Sequence, residues 1–533
     1  MLKKNRLLLL CLLGPATSSA VKFTSRSIMN ISQVMPVDPT LYYMFNDHFT
    51  YDRDEVEGKT LKEKIKHLSK EAKSAFNMVV WRGSTTNHDD MAQYLLPFGK
   101  TQLRVREGND TTTNLNVDVP GNQDIVAENF NITTNQKNFC STLDFKPKQT
   151  FFGIGFSGYR QISNKIWLSF EAPLVHVKNT LDMVETVTYA GGGVQVQDNL
   201  TAITTVETIG FNNTPFVANM KDAFKNPNML YGKIDGPQSK TAVAYVNLKV
   251  GYTYLHEEDR SLHVYGGFLL PTGNKPKGVY LFEPLVGNNK HFGLILGAFF
   301  TRRFETKRFA VNVSADSDTE FLFANTQTRS FDLAGKPWSR YMGVYANNAQ
   351  RLLDNATAGA GASRMCFQTW GVNIFTQEVK VNPHFSTNLI INASFELPRN
   401  FAFDLGFKCF WQQDEHVTLK NPWTLGPIIG ELSEGQTNQI GECTPARGIN
   451  NMFANVATSP IAQVIYITED QLDLTSATQP FRSDYTLYAA THKFCEFKNF
   501  KSCRLQLGTS YTFGSNNATA DRWQVWLGTA CYF

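Results

Sequence analysis

From Gln149 to the end of the chain, apolar and polar residues alternate in stretches of about 10 to 15 residues, the period of β-strands whose two faces meet different surroundings. In 504–513, Leu505, Leu507, Thr509, Tyr511 and Phe513 share one face, and Arg504, Gln506, Gly508, Ser510 and Thr512 share the other. In 401–412 the faces are Phe401, Phe403, Leu405, Phe407, Cys409 and Trp411 against Ala402, Asp404, Gly406, Lys408, Phe410 and Gln412. Phe385 to Leu397 divides in the same way. The pattern predicts eleven strands, at 150–161, 165–178, 241–255, 261–271, 291–304, 308–324, 384–397, 401–416, 484–496, 502–513 and 522–533. Ordinary strands run about 5–6 residues, whereas a strand crossing a bilayer at a tilt needs about 9–11.

The connections alternate between short and long. Ser163-Asn164, Glu257-Glu258-Asp259, Glu305-Thr306-Lys307, Pro398-Arg399-Asn400 and Lys498-Asn499-Phe500 are short turns. Segments 179–240, 272–290, 325–383 and 417–483 are long, with a smaller one at 514–521. All short turns then fall at one end of the strands and all long loops at the other, the asymmetry of outer-membrane barrels with short periplasmic turns and extended outer loops. The expected fold is an all-β, transmembrane, antiparallel up-and-down barrel of about 12 strands, with 10 to 14 allowed. An even count requires one more strand before Gln149, and the candidates are Phe139 to Phe145 and Phe76 to Trp81.

The N-terminal part reads differently. Lys3, Lys4 and Arg6, then the apolar run Leu7 to Leu13, then Ser18-Ser19-Ala20 read as a signal peptide over 1–20, cut before Val21. The run is too short to span a bilayer. Residues 21–135 are expected to form a short, partly helical segment, either a periplasmic helix or a plug, possibly including the first strand. The basis is Leu61, Ile65, Leu68, Ala72 and Ala75, which recur at helical spacing within Thr60 to Ala75. The barrel itself is expected over 136–533.

Composition agrees with this picture. Charged residues make up 18% of the chain and aromatics 13%, with 40 Phe, which argues against disorder and for a surface that meets something apolar. The mean hydropathy of −0.27 excludes a helical membrane protein. The net charge is +4, and +1 without the three signal-peptide cations, which gives no reason to invoke nucleic acid.

The last strand carries a resemblance. Trp523, Val525, Leu527, Thr529, Cys531 and Phe533 resemble the C-terminal signature of bacterial outer-membrane β-barrel proteins, whose alternate apolar residues end in a terminal Phe. The resemblance implies that Phe533 is an assembly signal read by the barrel-assembly machinery. Tyr is common two places before that Phe; here the place is Cys531, and Tyr532 supplies the aromatic. Gly267 to Gly273, with Pro271-Thr272-Gly273, looks like the strand end of barrels linked to hydrophobic-compound uptake. The same residues also read simply as a strand stopped by Pro and followed by a Gly turn.

Catalytic and cofactor motifs do not emerge. There is no phosphate loop, dinucleotide fingerprint, zinc-protease helix or nucleophile elbow, so no enzyme activity, metal or cofactor is expected. His88-Asp89-Asp90 and His256-Glu257-Glu258 read as solvated loop and turn residues. Without Cys11 of the signal peptide seven cysteines remain, an odd number. Centring a hairpin on Asn499 sets Cys495 opposite Cys503, a disulfide candidate in an oxidising compartment. Cys409 and Cys531 fall on apolar faces as small hydrophobes.

Charges cannot face lipid cheaply, so the polar faces must line the interior. The expected solute contacts are Glu171, Lys249, Arg303, Asp404, Lys408 and Arg504. The function expected is a passive channel or transporter for small solutes in the bacterial outer membrane, with membrane lipid as its surroundings. The rival is a surface adhesin or structural barrel acting through loops 179–240, 325–383 and 417–483, which contain aromatic clusters such as Trp338-Ser339-Arg340-Tyr341. Deleting loops separates the two, because a channel keeps conductance and an adhesin loses binding.

Overall fold

The computed structural model describes residues 22–31, 35–36, 73–106, 125–126, 130, 132, 140–189, 217–257, 259–305, 309–341, 343–345, 367–397, 400–424, 428–431, 463–497 and 500–533. Twelve antiparallel strands form one sheet that closes on itself: β1 (Ser74–Thr85), β2 (Lys148–Gln161), β3 (Ile166–Thr180), β4 (Val246–His256), β5 (Arg260–Leu270), β6 (Gly293–Glu305), β7 (Ala310–Leu322), β8 (Phe385–Leu397), β9 (Phe401–Gln412), β10 (Arg482–Phe497), β11 (Phe500–Gly514) and β12 (Arg522–Tyr532). Each strand pairs with its neighbours in sequence. β1 closes the ring, running from Ala75 opposite Tyr532 to Thr85 opposite Arg522 on one side, and from Ser74 opposite Arg160 to Ser84 opposite Thr150 on the other. Closure leaves no strand edge without partners, which is what hydrocarbon demands of backbone N–H and C=O groups.

Of the two candidates for the missing strand, the one around Phe76 to Trp81 is in the barrel. The other, Cys140–Phe145, pairs outside it with Gln102–Arg106 and Met183–Tyr189. The strand expected at 241–255 is broken. Gln238–Val243 pairs with the loop-end half of β3, and β4 starts at Val246 after Ala244 and Tyr245. Of the helix expected over Thr60 to Ala75, only Lys73, Ser74 and Ala75 lie within the described residues; none is helical, and Ser74 and Ala75 are extended because they pair with Arg160, Tyr159 and Tyr532. The signal peptide lies outside the described residues. No described helix is long and apolar enough to cross a membrane.

The alternation has the predicted cause. In β12, Trp523, Val525 and Leu527 are exposed on the outer wall, while Arg522, Gln524 and Trp526 are buried inside. Phe533 ends the chain on the outer face. Its N–H donates to the Ser74 carbonyl at 2.8 Å, and its carbonyl accepts from Lys73 N at 2.8 Å, so the chain terminus seals the β1–β12 seam.

Inside, glycines make room for rings from neighbouring strands. A Cβ on Gly406 would stand 2.0 Å from Tyr488 Cζ, and one on Gly508 would stand 2.2 Å from Trp526 Cζ2. Rings laid over cross-strand glycines fill the inner wall and help to fix register. Gly406→Val is expected to lower barrel stability by about 1–3 kcal/mol through overpacking against Tyr488. A lower unfolding temperature by far-UV circular dichroism is the expected reading, and an unchanged one contradicts it.

The long loops form a second packed layer on the barrel, a cap. Its helix α1 (His88–Leu95) starts at Asn87, whose side chain accepts from Asp90 N. Met91, Leu95, Leu103, Phe145, Trp338 and Tyr341 are all buried in one cluster there. The Trp338 and Tyr341 rings lie 4.9 Å apart. The N-terminal segment threads this cap. Ser25 N donates to Leu96 O at 2.9 Å, Arg26 N donates to Tyr94 O at 3.0 Å, and the Tyr94 hydroxyl donates to Ile28 O at 2.8 Å. By residue 35 the chain is inside the barrel, where Met35 packs with Trp81, Tyr488 and Trp526 and its sulfur fills the space above Gly155.

Candidate functional site

Below the cap the barrel encloses a chamber of about 270 Å³. It exists because β3, β4, β7 and β9 turn charged residues inward at mid-height. β7 carries Asp316, Asp318 and Glu320 on its inner face, β3 carries Glu171, β4 carries Lys249 and β9 carries Lys408. Among the described residues, carboxylates and ammonium groups thus meet in one lining. Lys249 Nζ lies 3.9 Å from Asp318 and 4.9 Å from the centre of the Tyr265 ring, an ion pair combined with a cation–π contact. The Tyr265 hydroxyl donates to Asp316 Oδ1 at 2.7 Å, and the Tyr245 hydroxyl donates to Glu171 Oε1 at 2.5 Å. Tyr245 occupies the break that precedes β4, so this irregularity aims a donor at Glu171. Asn388 on β8 donates to Asp318 Oδ1 at 2.9 Å.

Of the six residues expected to meet solute, Glu171, Lys249, Asp404 and Lys408 line the chamber. Asp404 is engaged there by His492, whose Nε2 lies 2.8 Å from its Oδ2, with both side chains buried. Arg303 and Arg504 point inward but sit nearer the short-turn end, outside the chamber lining. Arg303 is ion-paired with Glu305 and Glu396 at 2.9 Å each, and Asn312 donates to the same Glu396 at 2.7 Å. Arg504 is fully buried. These two side chains are part of the barrel's inner bracing, because a buried guanidinium must keep its partners. An aromatic layer narrows the same region, with Tyr159, Trp167 and Tyr265 in successive ring contacts of 5.7 and 5.9 Å.

The roof comes from the cap and the N-terminal segment. Asn30 donates to Gly287 O at 2.9 Å, and its own carbonyl accepts from Gln479 Nε2 at 3.0 Å and from Arg482. Two buried ion pairs fasten the cap. Arg329 donates to Glu415 Oε2 at 2.8 Å and to Ala477 O at 2.7 Å, and Glu415 also accepts from Gln479 N at 2.8 Å. Arg340 pairs with Asp332 at 2.9 Å, and the Ser25 hydroxyl donates to the same carboxylate at 2.6 Å while accepting from Trp338 N at 2.9 Å. The loop cluster Trp338-Ser339-Arg340-Tyr341 is therefore core that grips the N-terminal segment, not exposed surface.

A proton-sensitive chain runs through this roof. Gln327 Oε1 accepts from Arg329 Nε and Nη2 at 3.0 and 2.7 Å, which turns its NH₂ toward His291. His291 Nε2 must then accept that bond, at 2.9 Å, while its Nδ1–H donates to Phe323 O at 2.8 Å. The ring is thus neutral. Burial pushes its pKa below the ordinary 6.5, and nearby Arg329 and Lys275 act in the same direction against Glu415. For Glu415, burial acts to raise the pKa, but Arg329 and the Gln479 N–H hold it below 4.5. Both shifts have the same sign for stability. A depressed folded pKa gives a contribution that is present above the unfolded value and lost as pH falls. Cap docking should therefore weaken from pH 6.5 downward as His291 is forced to protonate, and further below 4.5 as Glu415 does. Limited proteolysis across this range should show cap cleavage rising with acidity while the barrel fragment survives; equal resistance at all pH values contradicts the assignment.

Cys495 stands opposite Cys503 in register, as the hairpin geometry predicts. Cys503 is also opposite Cys531, and their sulfurs are 2.7 Å apart. The three thiols thus line up on the outer wall near the short-turn end, and Cys531 competes with Cys495 for Cys503. His88 is fixed by a 2.6 Å contact to Pro147 O, and Glu257 pairs with Arg260 at 2.8 Å in its turn. Among the described residues no group of His, Cys, Asp or Glu is placed to hold a metal ion.

No family model matches the chain, and no curated protein matches it. Solved structures similar to it are outer-membrane β-barrels. An outer membrane channel from Pseudomonas putida F1 is 10% identical, covering 87% of this chain and 96% of that one, with a TM-score of 0.35. The CymD monoaromatic hydrocarbon channel is 8% identical over 87% of this chain and 89% of its own, with a TM-score of 0.24. A Pseudomonas aeruginosa FadL homologue is 8% identical over 86% and 90%, with a TM-score of 0.26. The closed ring of twelve strands rests on its own register rather than on these likenesses.

Proposed function

We propose that this protein is a non-enzymatic channel or transporter for small solutes in the bacterial outer membrane, reached by a cleaved signal peptide. The short turns would face the periplasm and the cap the outside. The observation that carries the reading is the chamber, an interior space lined by charges of both signs. Twelve strands give a lumen wider than a side-chain-filled eight-stranded barrel and narrower than a porin, consistent with small cargo. The cap, docked through the Arg329–Glu415 pair, regulates entry. Phe533 would serve the assembly machinery, and the outer wall would meet lipid.

Purified, refolded protein in planar bilayers should show discrete conductance steps. Their absence, in wild type and in a cap-loosened variant alike, contradicts the reading. Were the protein instead a surface adhesin, loop deletion would abolish binding to its target while conductance never appeared.

A further inference from the structure

We infer that Cys503 and Cys531 form a disulfide that staples the last strand of the barrel to its neighbour, and that Cys495 stays a thiol beside it. The bond belongs to the wall and holds whatever passes the lumen. Parity places all three side chains on the outer wall. Leu505 and Leu507 on β11 and Val525 and Leu527 on β12 are exposed there, and Cys503 and Cys531 share their faces. On β10, Cys495 shares the face of exposed Leu487. Register then sets Cys503 directly between Cys495 and Cys531.

Backbone direction decides between the two partners. In an antiparallel sheet a residue's N–H and C=O point to the same side, so an inner residue has a hydrogen-bonded partner on one side and a non-hydrogen-bonded partner on the other. Phe494 N donates to Asn400 O at 2.9 Å, toward β9, so the next residue, Cys495, directs its backbone toward β11. Phe533 N donates to Ser74 O at 2.8 Å, toward β1, and Cys531, two places before it, points the same way. Cys495 and Cys503 are thus a hydrogen-bonded pair, and Cys503 and Cys531 a non-hydrogen-bonded one. Cα atoms stand about 5.5 Å apart in the first kind and about 4.5 Å in the second, where side chains are closer. A disulfide needs Cβ atoms about 3.5–4.5 Å apart, which the second kind approaches better. The sulfurs of that pair are 2.7 Å apart. The other pair borders an irregularity, since the β10–β11 register shifts between Cys495 and Phe497.

Burial fixes the order of the chemistry. Cys503 is 3% exposed, while Cys495 and Cys531 are half-buried. The oxidant is a disulfide, of a small molecule or of a dithiol protein, and it reaches Cys531 more readily than Cys503. The Cys531 thiolate attacks it, forming a mixed disulfide and releasing one thiolate of the oxidant. The Cys503 thiolate then attacks Cys531 Sγ and expels the second. Two protons and two electrons pass from the cysteines to the oxidant, which leaves as two thiols. A metal ion held by three thiolates fits less well. Cys495 and Cys531 are two strand spacings apart, about 9–10 Å, so the three residues stand in a row and do not surround a point. Among the described residues no group is placed to hold such an ion. The bond joins residues 28 positions apart and lies two residues from Phe533, whose backbone seals the β1–β12 seam. It therefore ties the seam strand covalently to the ring.

Mass mapping of the full chain, refolded in detergent and treated with oxidised glutathione, tests this. Remaining thiols are trapped with N-ethylmaleimide, and the denatured protein is digested without reduction. Trypsin cuts after Lys493, Lys498, Lys501, Arg504 and Arg522, so the three cysteines fall in separate peptides. Peptide 502–504 should be joined to 523–533, and 494–498 should carry the maleimide. The folded band on a gel should persist to a higher temperature than after reduction with dithiothreitol. Cys495→Ser should keep that difference and Cys531→Ser should lose it, with heat-modifiable mobility under reductant confirming that each variant folds. Should a variant fail to fold, the wild-type map decides alone. Peptide 502–504 joined to 494–498, or carrying only maleimide or glutathione, overturns the staple, as does a reductant effect that survives in Cys531→Ser.

Discussion

Glu415→Gln should release the cap while leaving the barrel folded. The Glu415 and Arg329 side chains are each 1% exposed. Exposed ion pairs are worth little, but removing one partner of a buried pair leaves an uncompensated charge, at a cost of about 3–5 kcal/mol. Here the loss propagates. Arg329 holds Gln327, Gln327 holds His291, and Glu415 also accepts from Gln479 N–H, whose side chain bonds Asn30. The roof and the N-terminal segment thus share one anchor. The barrel does not, because its ladder of twelve strands closes without them. Proteases should cut the cap of the variant at neutral pH, where the wild type resists, and bilayer conductance should rise. Arg329→Ala should behave alike. A variant that keeps both wild-type resistance and wild-type conductance contradicts the latch.

Asp318→Lys with Glu320→Lys should invert the charge preference of the channel. Asp318 and Glu320 stand in the chamber lining, and the double variant replaces two carboxylates there with two ammonium groups. A unit charge about 7 Å from a permeating ion contributes about 2 kcal/mol at an effective dielectric near 20. Two reversals should move the cation-to-anion permeability ratio by at least about tenfold, with each tenfold worth about 1.4 kcal/mol. The reversal potential under a salt gradient measures this directly. A potential of unchanged sign and size means that ions do not pass these residues.

Much of the barrel was legible because lipid and lumen impose opposite demands on successive residues, and that contrast is written in every spanning strand. Leu505 and Gln506, or Val525 and Trp526, show which side faces hydrocarbon once one face is seen to carry charge. Ser74–Thr85 was harder to place. Its inner face bears Val79 and Trp81 beside Asn77, so polarity does not separate its faces, and 62 residues divide it from β2. Asp318 and Glu320 were readable from Asp316 by parity alone. The chamber was not, since it depends on which inward side chains meet across the lumen and which leave space between them. Arg303 and Lys249 look equivalent in the sequence, yet one is tied to Glu305 and Glu396 near the short turns and the other pairs with Asp318 in the chamber lining. The cap was invisible for another reason. Leu95, Phe145, Trp338 and Tyr341 follow no period and meet only through contacts far apart in the chain.

All of this depends on a ring of strands whose odd and even residues occupy two different media. Spin labels placed singly at 523 to 529 of β12 report it most directly, through their collision rates with oxygen dissolved in lipid and with a water-soluble nickel reagent. The structure predicts oxygen maxima at 523, 525, 527 and 529 and minima between them, since the former side chains are on the outer wall and the latter face inward. A flat profile, or one in which water reaches every position, contradicts a membrane barrel.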